Sequence, residues 1–329
     1  MISVIIPAFN EEDNIKLIAQ SVLKNLSNVG SVEIIFVDDG STDSTLSKIQ
    51  ELAEQNSSIK YISFSRNFGH QKALMAGLEH ARGDCAISLD ADMQHPPELL
   101  QQMLAKWKEG YDVVYTIRLD SSESGVLKKF TSRLFYKSLN FLSDIDIPLG
   151  AADFRLLDRK VVNELNKFQE EWIFIRGIVK WLGFRQIGIE YEVQKRHGGK
   201  SKYSFRKMVS FAVQGITSFS LMPLRIAAVL GFILSTTAFL YILYALYAKF
   251  GLGVTIEGWT SILISVLFLG GVQLIFLGII GEYIGKMFIQ TKHRPYYIIQ
   301  DKNIKLKTEL IKIPNRSDII KNDIDDQSN

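Results

Sequence analysis

At 329 residues, with 38 Lys and Arg against 35 Asp and Glu, the chain has length for an ample core. Its net charge of +3 gives none of the strong field that would argue for nucleic acid as a partner. A single cysteine, Cys85, excludes a disulfide framework and a cysteine-built metal site and fits a reducing compartment.

In chain order, Ser3 to Pro7 reads as a buried strand followed by a polar loop. Residues 10–14 then supply cap-type side chains for a helix over about 15–26, whose apolar positions recur at helical spacing. Residues 32–37 form the next apolar run, ending in Asp38-Asp39-Gly40-Ser41-Thr42-Asp43. A helix over about 44–55 and a strand over 59–64 follow. Strand alternating with helix is the mark of a mostly parallel sheet covered on both faces. Ligands of such sheets bind beyond the carboxyl ends of the strands, so the loops at 7–11, 38–40, 65–69 and 90–94 are expected to meet at one crevice. The glycine patterns of dinucleotide and P-loop sites are absent, which leaves metal and basic side chains to hold any phosphate.

The fourth of those loops carries the densest chemistry. Ala86-Ile87-Ser88-Leu89 ends in Asp90-Ala91-Asp92-Met93-Gln94-His95-Pro96-Pro97. Side chains alternate along an extended backbone, so Asp90 and Asp92 are expected on one side of the strand end. Paired hard carboxylates suit Mg2+ or Mn2+, ions that keep open positions for substrate phosphates. Alone, an Asp-x-Asp after a strand is also a common solvated turn.

Residues 111–117 read as a further strand leading to Arg118. A Ser-rich loop and a basic amphipathic helix over about 126–142, with Lys128, Lys129, Arg133 and Lys137, come next; its cations are solvated or face anionic headgroups. Gly150 to Arg159 gathers Asp153, Arg155, Asp158 and Arg159, which suit mutual ion pairing. Arg196-His197-Gly198-Gly199-Lys200-Ser201-Lys202 is a third cationic cluster whose glycines let it close over an anion.

From 203 to 220 the pattern is that of an amphipathic helix lying in a membrane interface. Residues 226–248 and 260–281 contain no charge, and each is long enough to cross a bilayer. The first residues lack a signal-peptide pattern, and Arg206, Lys207, Arg225, Lys286, Lys292 and Arg294 flank the two spans while the connecting loop carries only Lys249. Both termini are therefore expected in the cytoplasm. Gly270, Gly271, Gly278 and Gly281 permit close helix packing, within or between protomers. The tail beyond Pro295 is polar, with disorder expected at its very end.

Four stretches together, Ile5 to Glu11, Val37 to Asp43, Asp90 to Pro97 and Asp153-Phe154-Arg155-Leu156, resemble the family 2 glycosyltransferases with the GT-A fold. Ser65-Arg66-Asn67-Phe68-Gly69 and the two late spans look more narrowly like the polyprenyl-phosphate glycosyltransferases, which include dolichyl-phosphate mannose synthases and bactoprenol glucosyltransferases. The resemblance implies a cytoplasmic α/β GT-A domain over 1–202, an interfacial helix over 203–222, a two-helix transmembrane anchor over 223–285 and a cytoplasmic tail over 286–329.

It also implies roles. Pro7, Ala8, Asn10 and Glu11 would line the nucleotide, and Asp39 would meet the base edge. Asp90 would lie near ribose and metal, with Asp92 and Gln94 as metal ligands. Arg118 and Arg133 would take the acceptor phosphate, while Arg196, Ser201 and Lys202 would close on the donor diphosphate. Asp153 would be the acid near the reacting centre. The partners implied are a UDP-sugar, with UDP-glucose the first expectation, a polyprenyl phosphate, Mg2+ or Mn2+ and the lipid bilayer. A processive polysaccharide synthase shares the early motifs, but Gln169-Glu170-Glu171-Trp172 lacks the Arg of its Gln-x-x-Arg-Trp. A membrane scaffold that kept only the nucleotide fold is the non-enzymatic alternative.

Overall fold

The computed structural model describes residues 1–119, 150–168, 170, 174–192, 220–251 and 258–304. Its elements run β1 (Ile2–Ala8), α1 (Ile15–Leu26), β2 (Val32–Asp38), α2 (Thr45–Gln55), β3 (Ile59–Phe64), α3 (His70–His80), β4 (Cys85–Ser88), α4 (Leu99–Lys108), β5 (Val113–Leu119) and β6 (Ala151–Asp158). They continue with α5 (Arg159–Leu165), α6 (Ile175–Trp181), β7 (Gln186–Glu192), α7 (Met222–Gly251), α8 (Trp259–Gln290) and β8 (Ile299–Lys302).

The described strands join one sheet in the order β7-β5-β6-β4-β1-β2-β3-β8. Because helices cover both faces, its central strands are apolar on both sides. In β1 and β2, Val4, Ile6, Ile34 and Phe36 face one core with α1, α2 and α4. Ile5, Ile35 and Val37 face the other with α3, α5 and α6. Helix α1 has the bounds the spacing predicts, but Asn14 makes no side-chain cap; its amide instead donates to Glu11 Oε2 at 2.6 Å. Cys85 is fully buried, and burial pushes its thiol up to about 12.

Chain order departs from spatial order beside β1, where β2 and β3 lie on one side and β4 on the other, all parallel. The loops after β1 and β4 diverge at that switch point and open a crevice at the carboxyl ends. β6 inserts antiparallel between β4 and β5, and β8 pairs antiparallel with β3. The sheet is mixed at those two places and parallel elsewhere.

Helices α7 and α8 are both long and apolar enough to cross a membrane, and no residue of their most apolar windows is buried. They extend past the uncharged runs at both ends. A Cβ at Gly270, Gly271, Gly278 or Gly281 would meet nothing within 4 Å, so these glycines face open space in the single chain. The basic helix expected over 126–142, nearly all of the interfacial helix over 203–222 and the chain beyond 304 lie outside the described residues.

Candidate functional site

Each predicted loop stands at a strand end, and side chains tie the loops together in sequence across the sheet. Asn10, with φ +54, accepts from the Thr42 amide at 2.9 Å, and its own amide donates to Ser41 Oγ at 3.0 Å. The Glu11 amide donates to Thr45 Oγ1 at 2.9 Å. Those bonds join the loops after β1 and β2. Pro7 and Ala8 end β1, and the Ala8 carbonyl accepts from the Asp39 amide at 2.9 Å.

Asp39 joins the loop after β2 to that after β3. Its buried carboxylate accepts from the Phe68 amide at 2.6 Å and the Gly69 amide at 2.9 Å. Burial raises its pKa despite those donors. Gly40 beside it has φ +69, and a Cβ there would lie 2.7 Å from the Asn67 amide nitrogen. Only glycine lets the two loops approach so closely.

Gly69 starts α3, whose first residues His70 and Gln71 reach across to the acids of the site. His70 Nε2 lies 3.5 Å from Asp90 Oδ1 and 3.9 Å from Asp153 Oδ2. Gln71 Nε2 donates to Asp153 Oδ2 at 3.1 Å. Asp153 lies on β6, where its carbonyl accepts the Ser88 hydroxyl from the end of β4. Insertion of β6 beside β4 therefore brings Asp90 and Asp153 together.

Among the described residues, the Asp153 carboxylate accepts three hydrogen bonds, one of them from Gln71. Arg176, from α6, grips it with Nε at 2.7 Å and a terminal nitrogen at 2.9 Å, and Arg155 lies 3.7 Å away. Burial opposes its ionised form, but the two guanidiniums and His70 outweigh it and hold the carboxyl well below the usual range. So placed, Asp153 is an anion that orients its neighbours and a weak proton acceptor. Asp90 is also held low: burial opposes it, and His95 and His70 outweigh burial.

Asp92 and Gln94 follow Asp90 in a curled loop whose apex, Met93, has φ +59. The Gln94 amide donates to Asp92 Oδ1 at 3.1 Å. Asp90, Asp92 and Gln94 are half-buried and offer hard oxygen donors from a few consecutive residues, a set that fits Mg2+ or Mn2+. Among the described residues no three His, Cys, Asp or Glu side chains are clustered for a metal, so the amide oxygen of Gln94 would complete the set.

Arg118 is exposed at the end of β5. Its amide donates to the Gly150 carbonyl at 2.9 Å, and a Cβ on Gly150, at φ +78, would lie 2.7 Å from the Arg118 carbonyl oxygen. Arg133, Arg196, Ser201 and Lys202 lie outside the described residues. His70, Gln71 and Arg176 were not legible as site residues; nothing in His70-Gln71 or Phe174-Ile175-Arg176 marks them locally. The pairing expected within 150–159 is limited to Arg155 with Asp153, since Asp158 caps α5 through the Lys160 amide and accepts Trp107 Nε1.

Residues 3–165 match the model of glycosyl transferase family 2, and residues 222–287 match that of the GtrB C-terminal hairpin. A Bacillus subtilis glycosyltransferase, YkcC, is 42% identical over 91% of this chain and 93% of its own. The bactoprenol glucosyl transferase of Shigella phage SfV is 41% identical over 92% of this chain and 99% of its own. Among solved structures, the Mycobacterium tuberculosis glucosyl-3-phosphoglycerate synthase in complex with Mn2+, UDP-glucose and phosphoglyceric acid aligns with a TM-score of 0.46 and 19% identity, over 66% of this chain and 77% of that one.

Proposed function

This chain belongs to glycosyltransferase family 2, and from that premise we propose that it transfers glucose from UDP-glucose to undecaprenyl or another polyprenyl phosphate, with inversion. The observation that carries the reading is the 41% identity to bactoprenol glucosyl transferases over about nine-tenths of the chain, hairpin included.

An acceptor phosphate oxygen attacks the anomeric carbon, the bond from that carbon to the diphosphate oxygen breaks, and UDP leaves with the electron pair. The nucleophile is ionised at neutral pH, so no base has to deprotonate it. That agrees with an Asp153 whose carboxylate is already engaged by Arg176 and Gln71. In this reading Arg118 and Arg133 neutralise and aim the acceptor phosphate, since two anions must be brought together. Pro7, Ala8, Asn10, Glu11 and Asp39 shape the nucleotide pocket, and Arg196, Ser201 and Lys202 close on the diphosphate. Asp90, Asp92 and Gln94 would hold Mg2+ or Mn2+, which when bound offsets the charge developing on the leaving diphosphate.

The hairpin keeps this site at the surface where the acceptor is dissolved. β7 precedes the hairpin and β8 follows it, yet both are strands of one sheet. That supports both ends of the hairpin lying on one side of the bilayer, and the flanking Arg and Lys support the cytoplasmic side.

The test is transfer of radiolabel from UDP-glucose to undecaprenyl phosphate by the detergent-solubilised protein, followed by organic extraction. Label in the lipid that requires divalent metal and disappears in Asp92→Ala is the expected result. Label with another sugar nucleotide only would replace the donor, and none with any donor would overturn the reading.

A further inference from the structure

Two residues outside the roles above end in a hydrogen-bonded chain on Asp90. His95 Nε2 lies 3.0 Å from Asp90 Oδ2, and His95 Nδ1 lies 2.9 Å from the Tyr191 hydroxyl. An ionised carboxylate only accepts, so Nε2 donates to Asp90, and against a neutral ring the Tyr191 hydroxyl donates to Nδ1. Both side chains are buried, at 6% and 5% exposure, and the His95 ring packs on Phe154, the neighbour of Asp153.

We infer that His95 and Tyr191 are positioning residues, which fix the Asp90 carboxylate with Oδ2 turned inward and Oδ1 left toward His70 and the crevice for a divalent cation or the nucleotide. The inference rests on the proposed function, since it gives Asp90 a ligand to receive. The ligand loop is thereby set from β7, on the far side of β5 and β6.

Three observations carry it. Asp90 sits at a loop start, where one carboxylate oxygen is taken by a buried donor, which selects the other for the crevice. The bond from His95 back to Asp90 also closes the loop on itself around Met93, whose left-handed φ of +59 is strained for a side chain of that kind and persists only where the surroundings fix it. Finally, Tyr191 is register partner to Arg118 in the parallel β5–β7 pair. One strand pair therefore carries both the cation expected to meet the acceptor and the hydroxyl that steadies the donor-side acid.

The experiment measures Mn2+ binding to the full-length protein in detergent, with UDP present, from loss of the free Mn2+ electron paramagnetic resonance signal. Tyr191→Phe keeps the ring and removes the donor, and His95→Phe keeps an aromatic ring while removing both links. His95→Gln places an amide donor near the position of Nε2. The expected dissociation constants rise by about 10-fold in Tyr191→Phe and toward about 100-fold in His95→Phe, with His95→Gln between wild type and His95→Phe. Transfer should recover in Tyr191→Phe when Mn2+ is raised, which a merely loosened fold would not allow. Unchanged Mn2+ affinity in both Tyr191→Phe and His95→Phe, with Asp92→Ala losing it, would overturn the inference alone. Unchanged affinity in Asp92→Ala as well would remove the metal reading and the inference together.

Discussion

Arg176 holds Asp153 through two nitrogens on two different oxygens, 2.7 and 2.9 Å long, from a helix that begins 22 residues beyond it in the chain. A lysine cannot reproduce that fork. Arg176→Lys is expected to lower kcat by about 100-fold, in line with the cost of misplacing a group at a reacting centre. Arg176→Ala, which leaves the buried carboxylate only Gln71 and the more distant Arg155 and His70, is expected to cost about 2–3 kcal/mol of stability, less than a fully broken buried pair because those partners remain and Arg176 is itself partly exposed. Transfer assays and thermal melting in detergent separate the two effects.

The same grip makes stability depend on pH in the acid range. Asp153 and Asp90 have folded pKa values below the ordinary 3.8, so each contributes stability that is fully present at neutral pH. That contribution is lost as pH falls below about 5 toward the depressed folded values. Melting temperature should therefore fall on acidification through that window. In Arg176→Ala the fall should be shallower, because the largest cause of the Asp153 depression has gone.

Gly40 and Gly30 provide a matched pair of positive-φ glycines. An alanine at Gly30 meets nothing within 4 Å, whereas one at Gly40 meets backbone of Arg66 and Asn67. Gly30→Ala is expected to cost about 1 kcal/mol from its backbone conformation alone, and Gly40→Ala about 2–3 kcal/mol with a raised KM for the sugar nucleotide. Melting curves and donor titrations check both.

Beyond the hairpin, Tyr297 stacks on Phe64 with ring centroids 4.8 Å apart, and its hydroxyl donates to Glu79. Tyr297→Phe keeps the stack and should cost under about 1 kcal/mol, while Tyr297→Ala removes it and should cost about 3 kcal/mol. Hydrogen exchange in β3 and β8 is the readout, with faster exchange in the alanine variant and little change in the phenylalanine one.

β1 and β2 were legible because they are buried on both faces and so are nearly continuous apolar runs, closed by polar loops. β6 was hidden by its own chemistry. Asp153 and Arg155 lie buried in it, and a strand that carries buried charge breaks the apolar pattern by which strands are read. β8 was hidden because four polar-rich residues gain strand structure only from the β3 edge they join. At the site, the acids of the loops after β1, β2 and β4 could be read from the sequence, since each closely follows its strand. His70, Gln71, Arg176, His95 and Tyr191 gain their roles from topology: the hydrogen bond from Tyr191 to His95 spans 96 positions and exists only because β6 and β5 lie between β4 and β7.

The contact between β3 and β8 also imposes an order on synthesis. Tyr61 takes its partner Asn303 from 242 positions later, after both apolar helices have been made. While the chain is still on the ribosome, β3 is an open edge, and open edges recruit other strands. A chain that stalls or is cut after α8 keeps that edge and exposes the Phe64 ring that Tyr297 would cover. Completion of the sheet is thus a late event, since the strand that closes the β3 edge is made only after both apolar helices.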